Sequence, residues 1–239
     1  MGKESLWWNA VTPNLFCMDT KKVLILVEGQ TELGFVKRVL SVYVGKDIEL
    51  IPTIHTTKNV KSGPNFKGGA TTYSRIEKEV LNLLADSSAC TVTTMFDYYG
   101  LPHDFPGFSS KTGNCYEQIA QLEKAFADKI GNNKFVPYIQ LHEFEALLFS
   151  APEVIDVIMS GKQLTNSNLR KIRAAYNSPE EINDNPTTAP SKRIEKEYGD
   201  YQKPLHGQTI SEEIGIATIL KECKHFSEWI QKIKSVVSS

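Results

Sequence analysis

The chain has 239 residues, of which 41% are hydrophobic and 23% charged, and its formal net charge is −1. This composition is typical of a globular protein and excludes the fibrous, collagen-like and disordered classes. Because acidic and basic residues balance, any phosphate-binding surface must be local. The four cysteines form no C-x-x-C pair, which argues against a zinc or disulfide framework and favours the cytoplasm. The apolar runs are shorter than the ~18 residues of a membrane helix, so no membrane association is expected.

Strand and helix patterns alternate along the first part of the chain. The apolar run 22–27 predicts a buried strand, and Thr31 is the expected cap of the helix that follows it. Further strands are predicted at 48–53, 91–96 and 135–141, with helices at 74–85 and 115–130. Because parallel neighbours need crossover connections, this alternation predicts an α/β fold in which helices flank a parallel, Rossmann-like sheet.

Beyond residue 151 the sequence shows only helical periods. They lie at 154–159, 169–176, 190–198, 210–223 and 226–237. We therefore expect three parts. They are an N-terminal extension, 1–20, that need not belong to the fold, an α/β domain, 21–150, and an all-helical C-terminal subdomain, 151–239.

Acidic residues follow three of the four predicted strands. They are Glu28, Asp97, and Glu143 with Glu145. Ligands of open parallel sheets bind outside the carboxyl ends of the strands, and carboxylates that share such a crevice repel one another unless a cation neutralises them. Hard oxygen ligands favour Mg²⁺ or Mn²⁺. A single acid at such a position also serves as a helix cap, and on a continuous helix Glu145 would point about 200° away from Glu143.

Two local sets of residues, basic apart from one glycine, are candidates for phosphate contact. They are Lys67, Gly68 and Arg75, in and after the polar segment 55–69, and Lys192, Arg193 and Lys203 in the helical part. Glycine lets a backbone approach an anion closely, but the spacing does not match a P-loop. A flexible basic surface loop accounts for the first set equally well, and charges such as those of the second set are usually a solvated face.

Three further residues are expected at the rim of the site. They are His142, Tyr99 and Asp104. An imidazole titrates near neutrality and could orient a water or a phosphate oxygen, although a histidine at this position could equally cap the next helix. The aromatic side chains of segment 98–105 could stack on bases or pack in the core.

Four separate segments together resemble a known family. They are Val27–Glu32, Phe96–Pro102, Leu141–Phe149 and Ala189–Arg193, and they are similar to the domain-of-unknown-function family 4276, itself Toprim-like. The resemblance implies a Toprim-like α/β fold related to that of OLD-type and other small defence nucleases. It also implies a prokaryotic anti-phage setting in which an AAA or ABC-type ATPase encoded nearby is the partner.

The resemblance also implies roles for individual residues. Glu28 matches the Toprim glutamate, a metal ligand that can exchange a proton, and Asp97 matches the first acid of the Toprim Asp-x-Asp. Tyr99 stands at the second acid position, so one ligand is missing. The candidates for that ligand are Glu143, Glu145 and Asp104. We favour the first, because it follows its strand directly.

These observations predict a nuclease that hydrolyses phosphodiester bonds in nucleic acid with Mg²⁺ or Mn²⁺. Glu28, Asp97 and Glu143 are the expected catalytic residues, and the metal ligands include Glu145 as well. Formation of a homo-oligomer by the protein is left open. Two alternatives also remain open: a non-catalytic interaction module, and a hydrolase of a small phosphorylated metabolite or nucleotide.

Overall fold

The computed structural model describes residues 20–55, 72–183 and 187–237 of the chain. Within the predicted N-terminal extension, only Thr20 is among the described residues. The predicted phosphate contacts at Lys67 and Gly68 also lie outside the described residues.

Five strands in the described part of the chain form one sheet. They are β1 (Lys21–Val27), β2 (Ile48–Ile54), β3 (Ala89–Asp97), β4 (Phe135–Val136) and β5 (Ile139–Gln140). Their order is β2-β1-β3-β4, and β5 pairs with β3 further along the same edge. Every pairing is parallel, which confirms the predicted parallel α/β sheet.

Pro137 interrupts the predicted fourth strand, so that β4 and β5 are two short pieces. Proline has no backbone N–H to give to a ladder and is disfavoured inside a strand. The Thr94 hydroxyl bridges the gap, because it donates to the Tyr138 carbonyl at 2.9 Å and accepts from the Tyr138 N–H at 3.0 Å. A side chain of β3 thus replaces the hydrogen bonds that the backbone loses.

Eleven α-helices occur among the described residues. They are α1 (Gln30–Phe35), α2 (Ser41–Val44), α3 (Tyr73–Leu84), α4 (Cys115–Ile130), α5 (Glu145–Leu148), α6 (Pro152–Ser160), α7 (Asn168–Ala174), α8 (Pro190–Glu197), α9 (Gln208–Ile214), α10 (Ile216–Glu222) and α11 (Lys224–Val237). A π-helical turn, Val36–Leu40, joins α1 to α2, and another, Lys203–Gly207, precedes α9. No described helix is both long and apolar enough to cross a bilayer.

Two helix boundaries differ from the sequence-based expectation. The first helix begins at Gln30, and its cap is Gly29, whose N–H donates to the Glu32 carboxylate at 2.8 Å. Thr31 is therefore inside the helix. The predicted helix 210–223 is divided at Gly215, which has a φ of 75°. A left-handed residue ends an α-helix, and glycine adopts that conformation without steric cost.

Alternate residues of β1 are buried in two apolar cores on opposite faces of the sheet. Leu24 and Leu26 pack with residues of α3 and α4. Val23 and Ile25 pack on the other face, in a core that the C-terminal helices complete. The helices beyond residue 150 therefore cover one face of the sheet, and they stabilise it by removing apolar area from water.

Trp229 of α11 anchors this cover to the middle of the sheet. Its indole N–H donates to the Thr93 hydroxyl of β3 at 2.8 Å, and its ring stacks on Tyr138 with centroids 4.2 Å apart. The side chain is almost completely buried. One residue thus joins α11, β3 and the break between β4 and β5.

Trp229→Phe should lower the free energy of unfolding by about 1–3 kcal/mol, because the indole hydrogen bond and part of the buried ring are lost. Urea denaturation followed by circular dichroism measures the change. The matched control is Gln231→Ala, an exposed position on the same helix, where a change within about 0.5 kcal/mol is expected. Equal losses in the two variants would contradict the anchoring role of Trp229.

Candidate active site

The candidate site lies where the strand order of the sheet reverses. The chain leaves β1 toward β2 on one side and returns to β3 on the other, which opens a crevice outside the carboxyl ends of β1 and β3. Glu28 directly follows β1, and Asp97 is the last residue of β3. The backbone N–H of Asp97 donates to Glu28 Oε2 at 3.0 Å. The structure therefore brings these two predicted site residues together.

Because Gly100 has no side chain, the Glu28 carboxylate can occupy the space beside its backbone. It ends the 3₁₀ turn Tyr98–Gly100 that follows β3, and a Cβ atom on it would lie 2.5 Å from Glu28 Oε2. Such a distance is shorter than van der Waals contact. A glycine is thus required here because a carboxylate lies against its backbone.

The half-buried Glu28 carboxyl is in a mainly unfavourable environment for negative charge. Burial is the largest cause that raises its pKa, and the Glu143 carboxylate raises it further. The hydrogen bond from Asp97, the Lys203 ammonium and His55 act in the opposite direction. The net effect is a raised pKa, which marks this residue as one whose ionised form needs a positive partner.

Asp97 is held by the loop that precedes α5. Its Oδ1 accepts a hydrogen bond from the Phe144 N–H at 2.8 Å. Burial raises its pKa well above the ordinary value, and the carboxylates of Glu28, Glu32 and Glu145 raise it further. Asp97 therefore shares one electrostatic environment with three carboxylates from two other segments of the chain.

Glu143 and Glu145 face the same cation. The Lys203 ammonium lies 3.4 Å from Glu143 Oε1 and 3.1 Å from Glu145 Oε2. Glu143 also accepts from the Ser191 N–H at 3.0 Å, and Glu145 from the Tyr201 hydroxyl at 3.3 Å. A continuous helix would have pointed the two carboxylates apart, but α5 begins only at Glu145, so the backbone before it is free to turn both inward.

Lys203 is the basic residue that the structure places among the acids. Burial opposes its charge, but the carboxylates of Glu145 and Glu143 outweigh that effect and raise the pKa of Lys203 above its ordinary value. Its side chain is 39% exposed, so the ammonium lies at the solvent side of the cluster. This is the one member of the second predicted basic set that contacts the site carboxylates in the described structure.

Sequence reasoning missed Glu32 as a member of the cluster. The side chain is 6% exposed, and burial together with the carboxylates of Glu28 and Glu145 raises its pKa to about 7. The spacing of Gly29 and Glu32 is that of a capping box, and this local role concealed the residue's position beside the site.

His55 was also missed, although it directly follows β2 and so carries the same strand-end signal as Glu28. Its ring is almost completely buried, and Nδ1 lies 2.6 Å from Glu79 Oε2. The predicted phosphate contact Arg75 pairs with the same carboxylate, Nε to Oε1, at 3.6 Å. Arg75 is thus held beside His55 at the start of α3.

His142 differs from the expectation of a group that titrates near neutrality. Burial lowers its pKa to about 4, so the ring is neutral at physiological pH. Its backbone has a φ of 64°, a left-handed conformation that non-glycine residues rarely adopt. The ring nitrogen Nδ1 lies 3.2 Å from the Asn183 side-chain nitrogen.

The other two predicted rim residues contact segments that are distant from them in the sequence. The Tyr99 N–H donates to the His142 carbonyl at 3.2 Å, which places Tyr99 between the two loops that carry Asp97 and Glu143. Asp104 accepts from the Tyr73 N–H at 3.0 Å and so caps the start of α3.

Two predicted phosphate contacts on α8 bind to other parts of the protein. The exposed Lys192 ammonium lies 2.6 Å from Glu195. Arg193 donates from Nε to a backbone carbonyl five residues earlier and from Nη2 to the Tyr176 hydroxyl. Both side chains therefore have protein partners.

The donor set of the crevice fits a hard divalent cation, although it does not form a closed cage. Among the described residues, no group of three or more His, Cys, Asp or Glu side chains converges as a metal site. Mg²⁺ is commonly held by one or two carboxylates and several waters, so the adjacent pair Glu28 and Asp97 is sufficient. The raised pKa values of both residues mean that their ionised forms are disfavoured, and a bound cation would stabilise those forms.

The sequence model of a family described as a domain of unknown function, DUF4276, matches residues 27–234. The chain belongs to the DUF4276 family. This match confirms the family resemblance seen in the four segments, and it includes every residue of the cluster just described.

No curated protein matches this DUF4276 chain. Among solved structures, the C-terminal region of the Burkholderia pseudomallei OLD protein is similar, with 13% sequence identity and a TM-score of 0.41. The similarity covers 90% of this chain and 98% of the other.

In the absence of metal, Glu32 should destabilise the protein as the pH rises from about 4.5 to about 7. The unfolded state releases the proton near pH 4.5, whereas the folded state retains it until about pH 7. The free energy of unfolding therefore decreases as the pH rises through this window. Glu32→Gln should therefore be more stable relative to wild type at pH 8 than at pH 5, by about 3 kcal/mol. Urea denaturation in EDTA at both pH values measures the difference.

The control is Glu49→Gln, which makes the same chemical change at an exposed position on β2. A pH-independent difference for Glu32→Gln would contradict the raised pKa of Glu32.

Gly100→Ala should displace the Glu28 carboxylate, because the new Cβ would occupy its position. We expect a large chemical-shift change at the Asp97 amide and a loss of about 1–3 kcal/mol in stability, since a buried carboxylate loses its donor. Gly199→Ala is the matched control, because nothing lies within 4 Å of a Cβ at that position. An unchanged Asp97 amide in Gly100→Ala would refute this account of the glycine.

Proposed function

We propose that this DUF4276 protein is a divalent-metal-dependent hydrolase of phosphodiester bonds in nucleic acid. The observation that carries the proposal is the meeting of Glu28 and Asp97 at the strand-order reversal, in a crevice shared with Glu143, Glu145 and Lys203. Acids alone would repel a polyanionic substrate, so the site requires a cation before it can accept phosphate.

Mg²⁺ or Mn²⁺ is the cation that these donors suit, because all of them are carboxylate oxygens. Glu28 and Asp97 would hold it, and Glu143 and Glu145 are the further candidate ligands. When bound, the ion supplies Lewis-acid polarisation of the phosphate and a water of lowered pKa.

The protein's own groups fix the carboxylates and the cationic side chain. The N–H groups of Asp97 and Phe144 hold the Glu28 and Asp97 carboxylates in place. Lys203 carries its ammonium at the solvent side of the cluster, within reach of a phosphate oxygen. A fixed ammonium stabilises the charge that develops on phosphate during hydrolysis.

A partner would bring the substrate to the site. The chain has a net charge of −1, so non-specific electrostatic attraction to nucleic acid is weak. The resemblance to Toprim defence nucleases supports an AAA or ABC-type ATPase in this role and a prokaryotic anti-phage setting.

The test is cleavage of plasmid DNA and single-stranded RNA in Mg²⁺ or Mn²⁺, with and without the neighbouring ATPase. Glu28→Gln and Asp97→Asn keep the shape of each side chain but remove a charged ligand, and each should lower the cleavage rate more than about 100-fold. Glu49→Gln is the control for a general change of charge and should retain the wild-type rate.

The remaining outcomes separate the alternatives. Hydrolysis of mononucleotides without cleavage of any polymer would replace the nuclease with a hydrolase of small phosphorylated molecules. Absence of all hydrolysis by the wild-type protein, even with the ATPase present, would refute enzymatic activity and leave an interaction module.

A further inference from the structure

A cavity of about 180 Å³ lies beside the acid cluster. Its lining residues are Tyr98, Cys115, Gln118, Ile119, His142 and Asn183. Tyr98 directly follows Asp97, and His142 directly precedes Glu143. The cavity therefore lies against the same two loops that carry Asp97 and Glu143, and a molecule that filled it would be adjacent to those loops.

The size of the cavity suits one six-membered aromatic ring with substituents. An engineered apolar protein cavity of about 150 Å³ holds a benzene molecule. A pyrimidine base is a ring of that size with two or three exocyclic atoms. The space is too small for a base pair or for two stacked bases.

The cavity wall contains a buried acceptor without a partner. Asn183 Oδ1 makes no hydrogen bond and has almost no solvent-exposed surface in its observed rotamer, so a ligand in the cavity would reach it after the amide turns toward the cavity. The nitrogen of the same amide lies 3.2 Å from His142 Nδ1, to which it donates when the imidazole carries its proton on Nε2. A buried unpaired acceptor is unfavourable, and an N–H group on a ligand would satisfy it.

A second amide, that of Gln118, and the aromatic ring of Tyr98 also line the cavity. Gln118 uses its side-chain N–H₂ group to donate to the Gly113 carbonyl at 2.8 Å, which leaves its oxygen as another acceptor. The Tyr98 ring is supported from behind by Phe108, with which it stacks at a centroid distance of 6.2 Å. Aromatic faces that line a cavity with amide groups are the features by which proteins hold an unstacked base.

We propose that this cavity binds a single nucleobase, a pyrimidine whose exocyclic amino group donates to Asn183 Oδ1. The base is that of a free nucleotide or of a nucleotide turned out of a strand, and in either case its phosphate is directed to the loops that carry Asp97 and Glu143. The inference that this phosphate is the substrate rests on the proposed function, whereas binding of the base does not.

The test measures binding of cytidine to the full chain by ligand-observed NMR in EDTA, where no metal-dependent reaction occurs. Asn183→Ala should weaken binding at least tenfold, and N4,N4-dimethylcytidine, which lacks the amino donor, should bind wild type equally weakly. Tyr98→Leu should weaken binding by removing the aromatic face. The matched control is Asn132→Ala, an exposed asparagine at the far end of α4, which should bind cytidine as wild type does.

The possible outcomes test the base site independently of the proposed nuclease activity. Absence of cytidine binding to wild type, or equal binding of cytidine and its dimethyl derivative, would overturn the base site even if plasmid cleavage is observed. Cytidine binding without any cleavage would support the base site while the proposed nuclease fails. Tighter binding of a short oligocytidine than of cytidine monophosphate would identify the polymer as the source of the base, and equal affinities would identify the free nucleotide.

Discussion

Burial of several carboxylates close to one another is the constraint that the rest of this site must overcome. Five acids share one crevice, and burial and their neighbours raise the pKa of most of them. They are Glu28, Glu32, Asp97, Glu143 and Glu145. Backbone N–H groups at strand ends and helix starts partly compensate by donating to the carboxylates. The divalent cation that we propose for this site would stabilise the ionised carboxylates directly.

The helices beyond residue 150 are as much a part of the site as the sheet is. These helices and their connections supply the N–H of Ser191, the hydroxyl of Tyr201 and the ammonium of Lys203, all of which contact Glu143 or Glu145. These groups are held in place because the same helices cover one face of the sheet, with Trp229 bonded to β3. Stability of the apolar core and geometry of the crevice are therefore coupled, and a loss of core packing would also move charged groups.

Much of the fold could be predicted from local pattern, because strand and helix periods alternate regularly up to residue 149. The exceptions occur where one residue acts against the pattern. Pro137 divides a strand that its apolar neighbours favour, and Gly215 divides a helix. The strand-end rule found Glu28 and Asp97, and it would also have found His55. It could not find Glu32, because a capping box explains that residue locally.

The sequence by itself determined the α/β class, the family and the acids at the ends of β1 and β3, because hydrophobic period and residue type are local properties of the chain. Only the tertiary structure decided which charges meet. Lys203 faces Glu143 and Glu145, whereas Lys192 and Arg193 contact other partners, and no spacing in the sequence distinguishes these three basic residues. The reason is that electrostatic interaction depends on distance and burial in space, and both are fixed only when the C-terminal helices pack on the sheet.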